Sequence, residues 1–297
     1  MALSEQDKKQ FSEDGYVIIE DLLSADDLDQ VRRRASRILN REAAHISTSQ
    51  LVSRFSGSRA PVLHKVRDLV RTDEVFRELA GKTCVVDIVE ELLGQEALIF
   101  RDVLVVKPAR DGAPLHYHQD SAYWDVDPPS LISAWIPLDN VTESGGCLRV
   151  IKGSHSALVE HVLFLSEHRR LPQPVTRMLR SMASLAGTGD NPNGAGGSHT
   201  MDYLKRLVLE RSTRFAPALT RLNDFRVDER KIESLRAGEK ALPVKSGSVI
   251  FFHSLLMHAS NPNTSENDRC AAIISYMSKD SRFIGRGEAN FMQARIG

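Results

Sequence analysis

The second part of the chain contains a series of short apolar segments that are rich in β-forming residues. No other feature limits the possible folds so strongly. Gly, Pro and Asn residues that are typical of turns separate the segments, which are too short for most helices. They lie after Gly94, at 97–100, 103–106, 131–137, 147–151, 248–252 and 271–277. Many short strands with turn residues between them predict a β-sandwich or a β-barrel.

The first part of the chain has the pattern of helices. Ser4 and Ser24 are typical N-cap residues, and the helix after Ser4 is expected to end at Gly15. Further helices are expected at 73–79 and 84–93, whereas 46–61, rich in Ser, Gly and Arg, is expected to be a loop. Helices that precede a run of strands predict a β core with helices packed outside it.

A long segment interrupts the series of strands. Residues 156–239 are helical or irregular in pattern and have a Gly- and Asn-rich centre at 187–197. A connection of this length within a compact domain is usually a lid, a small subdomain or a disordered segment. No internal repeat or clear linker is present, so residues 1–297 are predicted to form a single domain with this insertion.

Composition excludes several classes of protein. The 39 Lys and Arg residues balance the 39 Asp and Glu residues, which argues against a general nucleic-acid binder. No apolar run approaches the roughly 18–20 residues of a membrane-spanning helix, and the first residues lack an apolar signal core. The three cysteines are odd in number and widely spaced, as in a reducing compartment, so a cytoplasmic location is expected.

Metal-binding side chains are concentrated at 116–120. Residues two apart on a strand face the same side, so His118 and Asp120 would present an imidazole beside a carboxylate. With His258 as the best candidate for a third ligand, they would form the 2-His-1-carboxylate triad that holds non-haem Fe(II). His116 could compete with His118, and a lone His-x-Asp pair is more often a surface feature.

Arg269 follows His258 by eleven residues and lies at the start of the apolar segment 271–277. A guanidinium on a strand next to the triad could bind the distal carboxylate of a dicarboxylate co-substrate through two hydrogen bonds. The combination of a His-x-Asp pair, a distant His and a following Arg is much more specific than any of its parts.

Together these residues resemble the phytanoyl-CoA dioxygenase family of Fe(II)/2-oxoglutarate oxygenases. The likeness covers about residues 10–155 and 240–280 but not the insertion, and it includes Lys65-Val-Arg-Asp-Leu, 103–108, Ala134-Trp135, Gly146-Cys-Leu148, Gly153-Ser-His155 and 258–265. The resemblance implies a mainly β fold with flanking helices. Its core would be a double-stranded β-helix, the cupin-like jelly-roll, with N-terminal helices and the long, partly helical insertion.

The resemblance also implies roles for individual residues. His118, Asp120 and His258 would be the iron ligands, and Arg269 and Ser260 would bind the distal carboxylate of 2-oxoglutarate. Further contacts to this co-substrate are implied at Lys65, Val103 and Trp135, although Lys65 taken alone would be a solvated helix charge and Trp135 a core residue.

The implied activity is oxidation, most simply hydroxylation, of an unactivated C–H bond by Fe(II), 2-oxoglutarate and O2, with release of succinate and CO2. The substrate would be a small molecule: a secondary metabolite, an amino acid, or an acyl group carried on coenzyme A or a carrier protein. Tyr123 and Trp124 are candidate substrate contacts. The alternatives are a non-catalytic jelly-roll that binds a ligand and a zinc hydrolase, for which Arg269 would have no use.

Overall fold

The computed structural model describes residues 2–39, 51–54, 62–110, 114–124, 126–159, 161–163, 225–284 and 292–295. The chain divides into two compact units. The first contains Met1–Leu158 and Glu233–Gly297, and the second is Val159–Ile232. Among the described residues, no helix has the length and apolar character of a transmembrane span.

The N-terminal part of the first unit is mainly helical. Its elements are α1 (Glu5–Asp14), β1 (Tyr16–Ile19), α2 (Ala25–Arg37), β2 (Leu51–Arg54), β3 (Val62–Arg67), α3 (Leu69–Thr72), α4 (Glu74–Ala80) and α5 (Thr83–Leu93). The strands that follow are β4 (Ala97–Lys107), β5 (Leu115–His118), β6 (Val126–Asp127), β7 (Leu131–Pro137) and β8 (Leu148–Ile151).

The second unit contains β9 (His161–Leu163), which pairs with β10 (Phe225–Val227), and the first residues of α6 (Glu229–Leu235). The centre of the predicted insertion, at 187–197, lies outside the described residues. The remaining elements belong to the first unit and are β11 (Glu239–Leu242), β12 (Val249–His253), β13 (His258–Ser260), β14 (Arg269–Ser278), β15 (Arg282–Phe283) and β16 (Met292–Gln293).

Both predicted N-caps begin helices. The Ser4 hydroxyl accepts a hydrogen bond from the Asp7 amide at 3.1 Å, and the Asp7 carboxylate accepts one from the Ser4 amide at 3.0 Å. Ser24 and Asp27 repeat this capping box at α2. Each box satisfies amides that the first helical turn leaves without partners. The first helix ends at Gly15 as expected, because glycine readily adopts the φ of 84° found there.

Two antiparallel sheets form the core of the first unit. The larger has the order β1-β12-β7-β14-β4-β3-β2, with β16 also paired to β4, and the smaller has the order β11-β8-β13-β5. Side chains of β7 alternate between two apolar clusters, as the pleat requires. Ala134 and Ile136 join the cluster formed with the helices, whereas Trp135 joins Leu148 and Val150 in a cluster that links the two sheets.

This arrangement is the predicted jelly-roll, with helices packed on the outer face of the larger sheet. Two local predictions were wrong. Residues 51–54, expected in a loop, form β2 and pair with β3. Lys65, which alone indicated a helix surface, lies on β3 and pairs with Val105. The prediction of β structure at 97–100 and 103–106 is confirmed, and both segments lie in β4 together with the polar pair Arg101 and Asp102 between them.

Candidate active site

Strand pairing brings the two predicted histidine ligands together. His118 is the last residue of β5 and His258 the first of β13, and the two are partners in the antiparallel register. Their ring centroids lie 4.2 Å apart. Asp120 begins a short 3₁₀ turn directly after β5, and its Oδ1 lies 3.7 Å from His118 Nε2 and 3.8 Å from His258 Nε2. The three potential ligand atoms therefore converge within 4.8 Å of one another.

Main-chain carbonyls fix the orientation of both rings. His118 Nδ1 lies 2.9 Å from the carbonyl oxygen of His116, and His258 Nδ1 lies 2.9 Å from that of Leu256. Since a carbonyl can only accept, each Nδ1 donates and each neutral ring keeps the lone pair on Nε2. The lone pairs face Asp120, as metal coordination requires. The His116 side chain is exposed, so it is the main chain of this residue that supports His118.

The Asp120 carboxylate has its own supporting hydroxyls. Ser133, fully buried on β7, donates a hydrogen bond to Asp120, and its Oγ lies 2.8 Å from Oγ of Ser275 on β14. Because the Ser133 proton is directed to the carboxylate, the Ser275 hydroxyl donates to Ser133. The sequence analysis did not identify these serines. The available signal was a polar residue at the same register position in two neighbouring apolar strands.

Burial raises the pKa of Asp120 above its ordinary value. The charges of His258, Lys65 and Arg101 and the hydrogen bond from Ser133 oppose the shift. A buried carboxylate beside two imidazole lone pairs is costly unless a cation compensates it. Two nitrogens and one oxygen are also the donor set of facial-triad Fe(II) sites, which leave positions open for other ligands. The residues present therefore fit a non-haem iron ion.

Arg269 is a buried cation without a carboxylate partner among the described residues. Its side chain lies on β14 and is 5% exposed, and its NH2 group donates to the Gly146 carbonyl at 3.1 Å. Its guanidinium carbon is 5.7 Å from the centroid of the Trp135 ring, and its Nε has no hydrogen-bond partner. Burial lowers the pKa of Arg269 to about 10, so the group is still charged at neutral pH. Such a group calls for an anion.

A single cavity of about 160 Å³ connects these groups. The cavity is lined by most of the site residues that the sequence analysis identified, namely Lys65, Val103, His118, Asp120, Trp124, Trp135, His258, Ser260 and Arg269. Tyr123 does not line the cavity and instead lies edge-on to the His118 ring, with a centroid distance of 5.8 Å. Further lining residues that the sequence analysis did not identify include Arg101, Lys107, Leu115, Phe252 and Ser275.

Trp124 forms one side of the cavity together with residues of β4. Its ring packs edge-on against Phe100 at a centroid distance of 5.3 Å. The Arg101 guanidinium carbon lies 5.3 Å from the centroid of Phe100 and 6.0 Å from that of Trp124. A bulge in the pairing of β4 with β14 falls at Phe100, because Ser275 pairs with Arg101 and Tyr276 already pairs with Ile99.

A buried two-histidine, one-carboxylate centre and a buried cation share one cavity of a jelly-roll. This combination defines the class of cupin-like, metal-dependent oxygenases that bind an anionic co-substrate beside the metal.

Comparisons with known proteins agree with this class. The chain is 25% identical to peroxisomal phytanoyl-CoA dioxygenase from Rattus norvegicus over 293 residues, which covers 95% of this chain and 70% of that protein. It is 24% identical to L-proline trans-4-hydroxylase from Streptomyces griseoviridis, covering 91% and 84%. The fold is similar to that of EctD from S. alaskensis with 2-oxoglutarate and 5-hydroxyectoine, with a TM-score of 0.67, 20% identity and coverage of 99% and 87%.

The model of the phytanoyl-CoA dioxygenase (PhyH) family matches residues 11–271, so the chain belongs to this family. The protein is therefore a 2-oxoglutarate-dependent non-haem iron dioxygenase that uses Fe(II), 2-oxoglutarate and O2. The resemblance seen in the sequence is confirmed.

Proposed function

We propose that the protein hydroxylates or otherwise oxidises an unactivated C–H bond of a small molecule and releases succinate and CO2. One observation carries this proposal: the ligand set His118, Asp120 and His258 and the buried Arg269 line the same cavity. The three ligands supply a site for a redox metal, and Arg269 supplies a site for a carboxylate. The reaction needs both.

The protein residues have distinct tasks in this reaction. Nε2 of His118, Nε2 of His258 and the Asp120 carboxylate would hold the iron, with the Ser133 hydroxyl and two main-chain carbonyls keeping them in place. When bound, the iron couples the oxidative decarboxylation of 2-oxoglutarate by O2 to the oxidation of a C–H bond. Everything else that the chain supplies is binding, orientation and the exclusion of water.

Arg269 would bind the distal carboxylate of 2-oxoglutarate. Its unpartnered Nε and its stacking against Trp135 leave the guanidinium edge available for this contact. Ser260 is buried in the same cavity and would add a hydroxyl donor. Lys65 and Val103 line the cavity on β3 and β4 and would contact the co-substrate through charge and shape. A zinc hydrolase, which binds no dicarboxylate, would leave the buried Arg269 without an anion.

The identity of Asp120 favours oxygen transfer. Related halogenases have Ala or Gly at this position, which provides room for a chloride ligand. A carboxylate that is held by Ser133 leaves no such room, so hydroxylation or a related oxidation is the expected outcome.

Trp124 would contact the substrate, since it lines the cavity, and Tyr123 would act through its contact with His118.

We further propose that residues 1–297 function as one domain. The insertion at 156–239 would act as a lid or as the binding site of a coenzyme A or carrier-protein handle. The relatives named above act on phytanoyl-CoA and L-proline, as their names state.

Anaerobic titration of the protein with Fe(II) and 2-oxoglutarate tests the proposal. A metal-to-ligand charge-transfer band should appear in the wild-type protein. Asp120→Ala should weaken or abolish iron retention. Arg269→Gln should retain iron but raise the dissociation constant of 2-oxoglutarate by about tenfold to a hundredfold, the usual loss for a hydrogen bond to a charged group.

His116→Ala is the matched control, because this histidine is two residues from His118 but its side chain is exposed. The band should survive in this variant. Absence of the band in the wild-type protein would refute the proposed function. A band without succinate formation under O2, with any candidate substrate, would instead favour the non-catalytic jelly-roll.

A further inference from the structure

The charged residues of the active-site cavity do not balance. Among the described lining residues, four cations, Lys65, Arg101, Lys107 and Arg269, stand against two acidic residues, Asp102 and Asp120. Fe(II) would add two positive charges and 2-oxoglutarate two negative ones, which cancel. The loaded cavity therefore keeps an excess of about two positive charges, which favours an anionic ligand.

Three of the four cations are assigned to the co-substrate or to the wall of the cavity. Arg269 lies at the co-substrate end, beside Trp135. Lys107 is buried and donates to the main-chain carbonyls of Ser260, at 3.3 Å, and Asn261. Lys65 is half-buried on β3, where the family resemblance places a co-substrate contact.

Arg101 differs from the other cations because its side chain is exposed while it also lines the cavity. The bulge at Phe100 brings the guanidinium over the rings of Phe100 and Trp124, at 5.3 and 6.0 Å from their centroids. Bulges near active sites commonly redirect a side chain in this way, and the aromatic faces restrict the motion of the cation. Its charge also acts to lower the pKa of Asp120, a proposed metal ligand that lines the same cavity.

We propose that Arg101 binds an oxyanion of the primary substrate, a carboxylate or a phosphate, while the apolar part of the substrate packs against Trp124. This inference rests on the proposed function and adds to it a substrate class: anionic small molecules. The guanidinium suits either oxyanion because it donates two parallel hydrogen bonds to two oxygens.

Iodide quenching of tryptophan fluorescence tests the inference without a known substrate. The chain has 2 tryptophans, of which Trp135 is 3% exposed and Trp124 is half-buried beside Arg101. The protein would be loaded with Zn(II) and 2-oxoglutarate. Because Zn(II) has no redox chemistry, this complex does not react with O2. Arg101→Gln should lower the iodide quenching constant about twofold or more, since the cation concentrates anions locally. Arg101→Lys should keep most of the effect.

The controls separate charge from structure. Acrylamide is neutral, so its quenching constant should be equal in the wild-type protein and Arg101→Gln. Arg110→Gln removes an exposed arginine that pairs with Glu266 and does not line the cavity, and it should behave as wild type. Trp124→Phe should remove most of the iodide-sensitive emission.

Acetate and inorganic phosphate identify the oxyanion. Each is added at constant ionic strength, with chloride as the reference. Protection of Trp124 from iodide by acetate supports a carboxylate substrate, and protection by phosphate supports a phosphorylated one. Equal iodide quenching in the wild-type protein and Arg101→Gln, or no protection by either oxyanion, would overturn the inference. Failure of the proposed function would be seen separately, as a missing iron and 2-oxoglutarate charge-transfer band.

Discussion

At the residue scale, the pair Ser133 and Ser275 shows how buried polar groups position the chemistry. Both hydroxyls lie in strands whose other buried residues are almost all apolar, where an unsatisfied hydroxyl would be costly. Their 2.8 Å contact and the hydrogen bond from Ser133 to Asp120 satisfy them. The pair therefore restricts the carboxylate to an orientation that presents Oδ1 to both histidines.

Ser133→Ala should lower the affinity for Fe(II) by about tenfold to a hundredfold, the usual effect of removing a group that orients a metal ligand. The charge-transfer band, followed as a function of Fe(II) concentration at saturating 2-oxoglutarate, measures this loss. Ser275→Ala is the control one step further from the ligand, and its effect should be smaller. Equal affinities in the wild-type protein and Ser133→Ala would show that Asp120 is positioned without the serine.

At the element scale, a tight turn holds the co-substrate end of the cavity in place. Gly146 lies just before β8 with φ at 73°, a conformation that residues with a Cβ rarely adopt. A Cβ built on Gly146 would lie 2.7 Å from the carbonyl oxygen of Asn261, and the Gly146 carbonyl accepts the hydrogen bond from Arg269. The turn thus connects β8, the segment after β13, and the buried cation.

Gly146→Ala should lower the free energy of unfolding by about 1–3 kcal/mol, through backbone strain and the close approach to Asn261. It should also weaken 2-oxoglutarate binding, because a shift of the turn displaces the main-chain carbonyl that accepts a hydrogen bond from Arg269. Urea unfolding and the charge-transfer titration measure the two effects. Gly145→Ala is a matched control, since the nearest atom to its Cβ is 3.5 Å away. Equal stability of the two variants would show that neither the backbone conformation of Gly146 nor its close approach to Asn261 requires a glycine.

Elements were predictable from the sequence wherever local rules decide their structure. The capping boxes at Ser4 and Ser24 and the turn residues between β-segments are such cases, and they led to the correct fold class. β2 was missed because it is short and only Leu51 and Val52 of its four residues are apolar, so that its pairing with β3 rather than its own pattern defines it. The sequence analysis gave 97–100 and 103–106 as separate β segments, whereas β4 also includes the polar Arg101 and Asp102 between them. In the structure, Asp102 accepts a hydrogen bond from the Leu69 amide at 2.8 Å, a long-range contact that no local pattern encodes.

The same distinction applies to the site. A short motif and a family resemblance sufficed to identify His118, Asp120, His258 and Arg269. Ser133, Ser275 and Arg101 could not be identified in this way, because their importance depends on strand register and on a bulge. Such features arise only when distant segments pair.

At the scale of the whole molecule, a pair of half-buried histidines joins three parts of the chain. His253 lies at the end of β12, and its amide donates a hydrogen bond to the Gly15 carbonyl at 2.9 Å. The centroid of its ring lies 5.7 Å from that of His155, which follows β8. Burial and, to a smaller extent, the neighbouring His155 lower the pKa of His253 to about 4. Burial also lowers the pKa of His155. This junction must therefore stay uncharged for the sheets and the first helix to remain packed.

The stability of the fold should consequently fall in acid. Between pH 6.5, the ordinary pKa of histidine, and about pH 4, the unfolded chain binds a proton at His253 that the folded chain does not. The free energy of unfolding therefore rises with pH in this window, and His253 should account for a loss of about 2–3 kcal/mol between pH 7 and pH 4.5. Urea unfolding at a series of pH values measures the slope. His253→Gln should flatten it, whereas His116→Gln, which removes an exposed histidine, should leave it unchanged. Parallel curves for the wild-type protein and His253→Gln would mean that the acid sensitivity arises elsewhere.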